Sequence, residues 1–374
     1  MITNSDYQKS YFKIFNESSV IVTGHTGFKG SWLVAWLNQL GARVTGLALD
    51  PPSKPSHFEA ISLTDSIQDH RINICDKEAL QSLIKKTKPE FVFHLAAQPL
   101  VRQSYLDPFE TYTTNVLGTL NLLEALRLLE NRCTAVFITS DKCYDNVEWV
   151  WGYRETDLLG GKDPYSASKG AAELLIRSHV KSFFPQGGLV RIAIGRAGNV
   201  IGGGDWAHER IVPDSVRSWA KGESVQLRNS QATRPWQHVL EPLSGYLSLA
   251  VELQQRAELH GEPFNFGPPA HQNHTVLDLV KAMSQYWDKV SWEDLDTSQE
   301  NPYESGLLKL NCDKALQILD WQAFLSFQET VRMTAEWYSS YYENPSTIRD
   351  VTLSHIRKYE DFARGRGMRW AQQV

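Results

Sequence analysis

A chain of 374 residues with 22% charged residues and a formal net charge of −5 can bury a large core, and it has no basic surplus for broad nucleic-acid binding. No apolar run reaches the roughly 18 residues that a membrane span needs. The opening "MITNSDYQKSYFKIF" has no apolar core of a secretory signal, so a cytoplasmic protein is expected.

The first half alternates apolar runs with helix-like segments. "SVIVTG" reads as a strand, "GSWLVAWLNQLG" as a helix stopped at Gly41, and "RVTGLALD" as the next strand. "DKEALQSLIKKTK" reads as a helix and "PEFVFHLAA" as a strand. "PFETYTTNVLGTLNLLEALRLLE" reads as one long helix, followed by the strand "CTAVFITS". The helix "YSASKGAAELLIRSHVKSFF" and the strand "GLVRIAIGRAGNV" complete the series. Repeated units of this kind predict an α/β fold, a Rossmann-type doubly wound parallel sheet. After Gly204 the pattern breaks into loops and shorter helices, which predicts a smaller mixed α/β substrate domain. The expected division is 1–200 with 236–266 returning to it, then 201–235 together with 267–345, then a tail over 346–374 of unassigned role.

Between the first strand and its helix, "VIVTGHTGFKGSWL" places Gly24, Gly27 and Gly30. A pyrophosphate has to approach backbone N–H groups at a helix N-terminus, and a Cβ would block the turn or the approach. Gly24, Thr26, Gly27, Phe28, Lys29 and Gly30 are therefore expected to cradle a dinucleotide. Asp50, at the end of the second strand, suits the adenosine ribose hydroxyls and repels a 2′-phosphate, which favours NAD over NADP. Lys29 inside the loop would soften that preference. Asn73 and Ile74 are placed beside the adenine, and the small Ala96 and Ala97 let the cofactor lie close.

Tyr165 and Lys169 stand four apart at the start of a helix, on one face. A phenol ordinarily titrates near ~10. An ammonium about 4 Å away contributes roughly 4 kcal/mol at an effective dielectric near 20, so Lys169 is expected to make Tyr165 a usable base. Ser140 would hold the hydroxyl that Tyr165 deprotonates. Directly after it come an acid and an amine, Asp141 and Lys142.

"TGHTGFKG", "HLAAQP", "NVLGT", "TSDK" and "YSASK", in this order, resemble the extended short-chain dehydrogenase/reductase superfamily over roughly residues 18 to 340. The acid and second proton-transfer residue after Ser140 resemble its nucleotide-sugar 4,6-dehydratase branch, where Asp-Glu is commoner than the Asp-Lys found here. "SDKCYDN", "VWGYRE", "RAGNVIGGGDW" and "RPWQHVLEPLSGY" carry the likeness further. The resemblance implies NAD-dependent oxidation at sugar carbon 4, elimination of water across carbons 5 and 6, and hydride return to carbon 6. Lys142 would take the carbon 5 proton as a neutral amine and Asp141 would protonate the leaving hydroxyl. Lys142 stabilising the enolate, or the pair sharing one proton, stays open. By the same resemblance Asn115 supports the site beside the cofactor, Gln98 contacts ribose or substrate, and Asn199 and Arg196 contact the nucleotide diphosphate, Arg196 alternatively orienting the loop. Arg228 and Arg234 suit a diphosphate because a planar guanidinium binds two oxygens at once. The two helices around residues 108–130 and from Tyr165 carry spare apolar faces, and the resemblance pairs them in a four-helix bundle of a homodimer or homotetramer.

The four cysteines, Cys75, Cys133, Cys143 and Cys312, are scattered without a C-x-x-C pair, so reduced thiols and no metal site are expected. Trp206 and Trp236 either shape the groove or pack. His94 reads as a core histidine. Two other readings compete. A nucleotide-sugar 4-epimerase shares everything but the acid/amine pair, and a non-catalytic NAD-binding scaffold shares the fold alone.

Overall fold

A computed structural model describes residues 11–288, 290–294 and 307–372. Its centre is a seven-stranded parallel sheet in the order β11-β6-β5-β4-β1-β2-β3. The strands are β1 (Ser19–Thr23), β2 (Arg43–Ala48), β3 (Gln68–Arg71), β4 (Phe91–His94), β5 (Cys133–Ile138), β6 (Val190–Ala197) and β11 (Pro263–Phe266). Alternate residues face opposite layers. Val20, Val22, Phe91, Phe93 and Val136 enter one apolar cluster, with Trp32, Trp36 and Tyr246. Ile21, Val92, Ala135 and Phe137 enter the other, with Leu80, Leu122 and Ile176. Burial on both faces explains why β4 and β5 read as unbroken apolar runs. The polar edge strand β3, "QDHR", carries no such signal.

β1 starts the chain's path through the sheet and lies between β2 and β4. The strand order reverses there, which opens a crevice at the carboxyl ends of β1 and β4 where a ligand can sit.

Short strand pairs build the C-terminal lobe. β7 (Val200–Ile201) pairs with β10 (Gln237–His238), β9 (Thr233–Arg234) with β12 (His274–Thr275), and β8 (Val225–Leu227) with β13 (Trp292–Asp294). β11 pairs with β6 and so lies in the main sheet.

The expected long helix over 108–130 is interrupted. Pro108–Tyr112 is followed by a π-helical turn, Thr113–Leu117, and by the helix Gly118–Leu126. The cause is Asn115, whose buried side chain turns inward: Oδ1 accepts from the Gln98 N–H at 2.9 Å, and Nδ2 donates to the Gln98 carbonyl and to Ser168 Oγ. A single extra residue in the turn aims it there.

The tail is structural. Helix Ile348–Gly365 packs on helix Phe28–Gln39, with Trp36 Nε1 donating to Glu360 at 2.8 Å. Trp370 stacks on Phe12 and on Tyr359. Tyr359 donates to the buried Glu241, which also accepts from the Phe324 and Leu325 amides. Burial pushes the Glu241 carboxyl up to about 7 against those hydrogen bonds. Among the described residues no helix is long and apolar enough to cross a membrane.

Candidate active site

The glycine loop is a cradle. Gly24 has φ +73°, and a Cβ there would come within 2.7 Å of the Ala96 amide; a Cβ on Gly30 would lie 2.1 Å from the Gly24 carbonyl oxygen. Only glycine allows the strand end and the helix start to touch in this way. Helix Phe28–Gln39 begins after Gly27 with no side-chain cap, so its first-turn amides remain for an anion. These features fit a pyrophosphate, and the loop residues present can hold NAD.

Two side chains in the loop do other work. Thr26 Oγ1 donates to the Leu49 carbonyl at 3.0 Å, which ties the loop to the end of β2. His25, which sequence reasoning passed over, is buried with its Nε2 2.8 Å from Asp69 and its ring beneath Gly46. Burial holds its pKa below the ordinary histidine range. Asp50 stands exposed just past β2, with Arg71 Nε 3.6 Å away.

Four of the side chains expected to be catalytic gather on one cavity of about 360 Å³, walled by Ser140, Asp141, Lys142 and Tyr165 from the sheet side and by Asn199, Arg228 and Arg234 from the C-terminal lobe. β5 ends at Ile138, and a 3₁₀ turn over Asp141–Cys143 follows. Ser140 Oγ accepts the Lys142 N–H at 3.2 Å and donates to Asp141 Oδ1 at 2.8 Å. This turn presents all three groups together. Asp141 is buried, and that burial pushes its carboxyl up, opposed by the neighbouring Lys142 and the Ser140 hydroxyl. Burial thus shifts Asp141 toward its acid form relative to an exposed aspartate.

Helix Pro164–Phe183 starts at its cap Asp163, which accepts the Ser166 N–H at 2.9 Å. Its first two turns carry Tyr165 and Lys169, with Lys169 Nζ 6.0 Å from the Tyr165 ring centre. Burial pushes the Tyr165 phenol up to about 12, opposed by Ser140 and Arg210, and lowers the Lys169 amine to about 8. The expected acidification of Tyr165 by Lys169 meets a stronger opposing effect in the structure: desolvation of the phenolate outweighs the charges around it.

Residues 21–334 match the family model described as GDP-mannose 4,6 dehydratase. The chain is 47% identical over 348 residues to the CDP-glucose 4,6-dehydratase of Salmonella typhimurium, covering 92% of this chain and 95% of that one. The chain belongs to the nucleotide-sugar dehydratase family. It is 26% identical to the dTDP-glucose 4,6-dehydratase of Neisseria gonorrhoeae, over 86% of this chain and 96% of the other. A UDP-glucose 4-epimerase structure from Stenotrophomonas maltophila with bound NAD shares the fold, with TM-score 0.74, 23% identity, and 87% and 99% of the two chains covered.

Within this dehydratase fold several expected contacts take another form. Arg196 is fully buried and does not reach the cavity; it pairs with Glu173, and its Nη1 donates to the Tyr144 hydroxyl at 2.6 Å. Its alternative role, orienting the structure around the site, is the one its contacts match. The Gln98 side chain is spent on the Leu100 backbone and on Thr111 Oγ1, so it faces neither ribose nor substrate. Ile74 packs in the core beneath Gly118, while the Asn73 side chain accepts the Cys75 N–H. Lys29 turns into the cavity, donating to the Tyr246 hydroxyl at 3.3 Å, and does not bear on the 2′-position of an adenosine. Burial and the nearby Lys169 and Arg210 lower its amine to about 8. Ala96 lies against Gly24, and its N–H donates to Thr23 Oγ1; Ala97 follows it in the loop after β4. Asn115 supports the site through Gln98 and Ser168. Trp236 lines the cavity, whereas Trp206 packs with Trp337 and Tyr341. His94 bonds Thr23 and Thr119 in the core.

Sequence reasoning did not find Arg210, which lines the cavity and is held by Asp205 at 2.7 Å. It also did not find Glu173, one helical turn after Lys169. The available signal for Glu173 was an arginine inside the apolar strand "VRIAIGRA", which calls for a buried acid.

Proposed function

We propose that this dehydratase converts CDP-glucose to CDP-4-keto-6-deoxyglucose and water, with NAD ending each cycle as it began. The observation that carries this reading is the convergence of Ser140, Asp141, Lys142 and Tyr165 on one cavity beside the glycine cradle, with Lys169 Nζ 6.0 Å from the Tyr165 ring centre behind them. The 47% identity to a CDP-glucose 4,6-dehydratase supports the base and the sugar.

Gly24, Gly27 and Gly30 with the uncapped helix start hold the NAD pyrophosphate, and Asp50 holds the adenosine ribose. When bound, NAD would accept a hydride from sugar carbon 4 and return it at carbon 6. Arg210 acts against the desolvation that keeps the Tyr165 phenol protonated, and the Lys169 ammonium acts in the same direction. Ser140 turns its hydroxyl from Asp141 to the carbon 4 oxygen, and Tyr165 takes that oxygen's proton. The new ketone acidifies the carbon 5 hydrogen, and Lys142 removes it. Asp141, shifted by burial toward its acid form, protonates the carbon 6 hydroxyl, which leaves as water. Arg228, Arg234 and Arg210 with Asn199 surround the diphosphate. Residues 1–200 with 236–266 serve the cofactor; 201–235 with 267–345 serve the nucleotide sugar. The free thiols of Cys75, Cys133, Cys143 and Cys312 fit a reducing, cytoplasmic setting.

Incubation with CDP-, dTDP-, UDP- and GDP-glucose is the direct test. CDP-glucose is expected to yield a keto product that absorbs in alkali, with water lost. Formation of a 4-epimer without water loss would move the chain to the epimerase reading.

The same reading includes a homodimer or homotetramer. Phe109 is 80% exposed, and Leu117 and Leu174 are more than half exposed, on the two helical segments expected to pair; Leu106, 81% exposed, ends the short helix just before the first of them. Phe109→Asp is expected to sediment as a monomer where the native chain sediments as a dimer or tetramer.

A further inference from the structure

The proposed reaction leaves the choice of nucleobase to the C-terminal lobe, and the following inference rests on that reading. Gln226 on β8 lines the cavity beside Arg228 and Asn229. β8 pairs in parallel with β13, with Gln226 opposite Glu293. Gln226 Nε2 donates to Glu293 Oε2 at 2.9 Å, and Glu293 is not among the residues that line the cavity.

An ionised carboxylate only accepts hydrogen bonds, so it fixes which end of an amide it meets. The Gln226 NH2 group is held on Glu293. The amide oxygen is then the end left for an occupant of the cavity. Cytosine offers an exocyclic amino donor at ring position 4, where thymine and uracil offer a carbonyl acceptor. An acceptor facing the amino group forms a hydrogen bond. An acceptor facing a carbonyl leaves two oxygens desolvated and unpaired.

We propose that the Gln226 amide oxygen, oriented by Glu293, selects a pyrimidine bearing an exocyclic amino group and turns away uracil and thymine. Gln226 is the specificity-determining residue, and Glu293 is its positioning residue.

The test is calorimetric binding of CDP and of UDP to the full, NAD-loaded chain, alongside turnover of CDP-glucose. The native chain is expected to bind CDP about 10- to 100-fold more tightly than UDP. Gln226→Met is expected to weaken CDP about 10-fold and to tighten UDP, so that the CDP-to-UDP preference is largely lost. Glu293→Lys presents only donors, so it turns the amide around and shifts the preference toward UDP. A purely structural role for Glu293 would weaken both nucleotides alike. Equal affinity of the native chain for CDP and UDP, or a ratio untouched by Gln226→Met, overturns the proposal. A chain that prefers CDP through Gln226 but does not dehydrate CDP-glucose keeps base selection and rejects the reaction. A chain that dehydrates CDP-glucose with a ratio indifferent to Gln226 rejects base selection alone.

Discussion

Tyr165→Phe is expected to lower kcat by about 10²- to 10⁴-fold, the range for loss of one general base. The ring is only 8% exposed, and the substitution removes the hydroxyl alone, so packing and NAD binding should be retained. In the proposed mechanism the Lys169 ammonium supports the phenolate, and burial has lowered that amine to about 8. Its charge is present below that pH and is lost above it. The kcat/KM profile of the native chain should therefore fall above about pH 8, where an ordinary lysine would hold its charge to about 10.4. A fall that begins only near the ordinary lysine value would exclude this account. Lys142→Met separates the steps further: oxidation at carbon 4 should survive, with exchange of the carbon 5 proton lost. Exchange at the native rate would remove Lys142 as the base.

The largest effect on stability is expected at Arg196→Met. Arg196 and Glu173 are both fully buried. Glu173 Oε1 also accepts from Thr139 Oγ1 at 2.6 Å, and Tyr144 passes the network on to Asn265 of β11 at 2.8 Å. Removing the guanidinium leaves a carboxylate in the core with only the Thr139 hydroxyl and the Cys143 thiol beside it. Breaking a buried pair in this way costs about 3–5 kcal/mol. Replacing both members, Arg196→Met with Glu173→Leu, should cost much less, because no uncompensated charge then stays behind. The urea midpoints of the single and double variants measure this, and a double variant as unstable as the single one would show that shape and not charge sets the cost. The network joins β5, β6, β11 and the Tyr165 helix directly behind Ser140. It therefore holds the floor of the site without touching a substrate.

The sequence alone determined the βα alternation, the glycine cradle, and the run Ser140-Asp141-Lys142 with Tyr165 and Lys169. These are local: strand burial, turn geometry and helical spacing are written within a few residues of each other. Tertiary structure alone decided the protonation balance of Tyr165, the burial of Arg196 on Glu173, and the turning of Gln98 and Ile74 into the interior. It also decided the inward turn of Lys29, the approach of Arg210, and the docking of the last helix on Trp36 and Glu241. Each of these depends on what packs against a group from a distant part of the chain. Desolvation and charge pairing act through space, and chain spacing carries no measure of them. The π turn at Asn115 shows both at once. Its composition is helical, but its register is set by Gln98 and Ser168, which lie 17 residues before it and 53 after it.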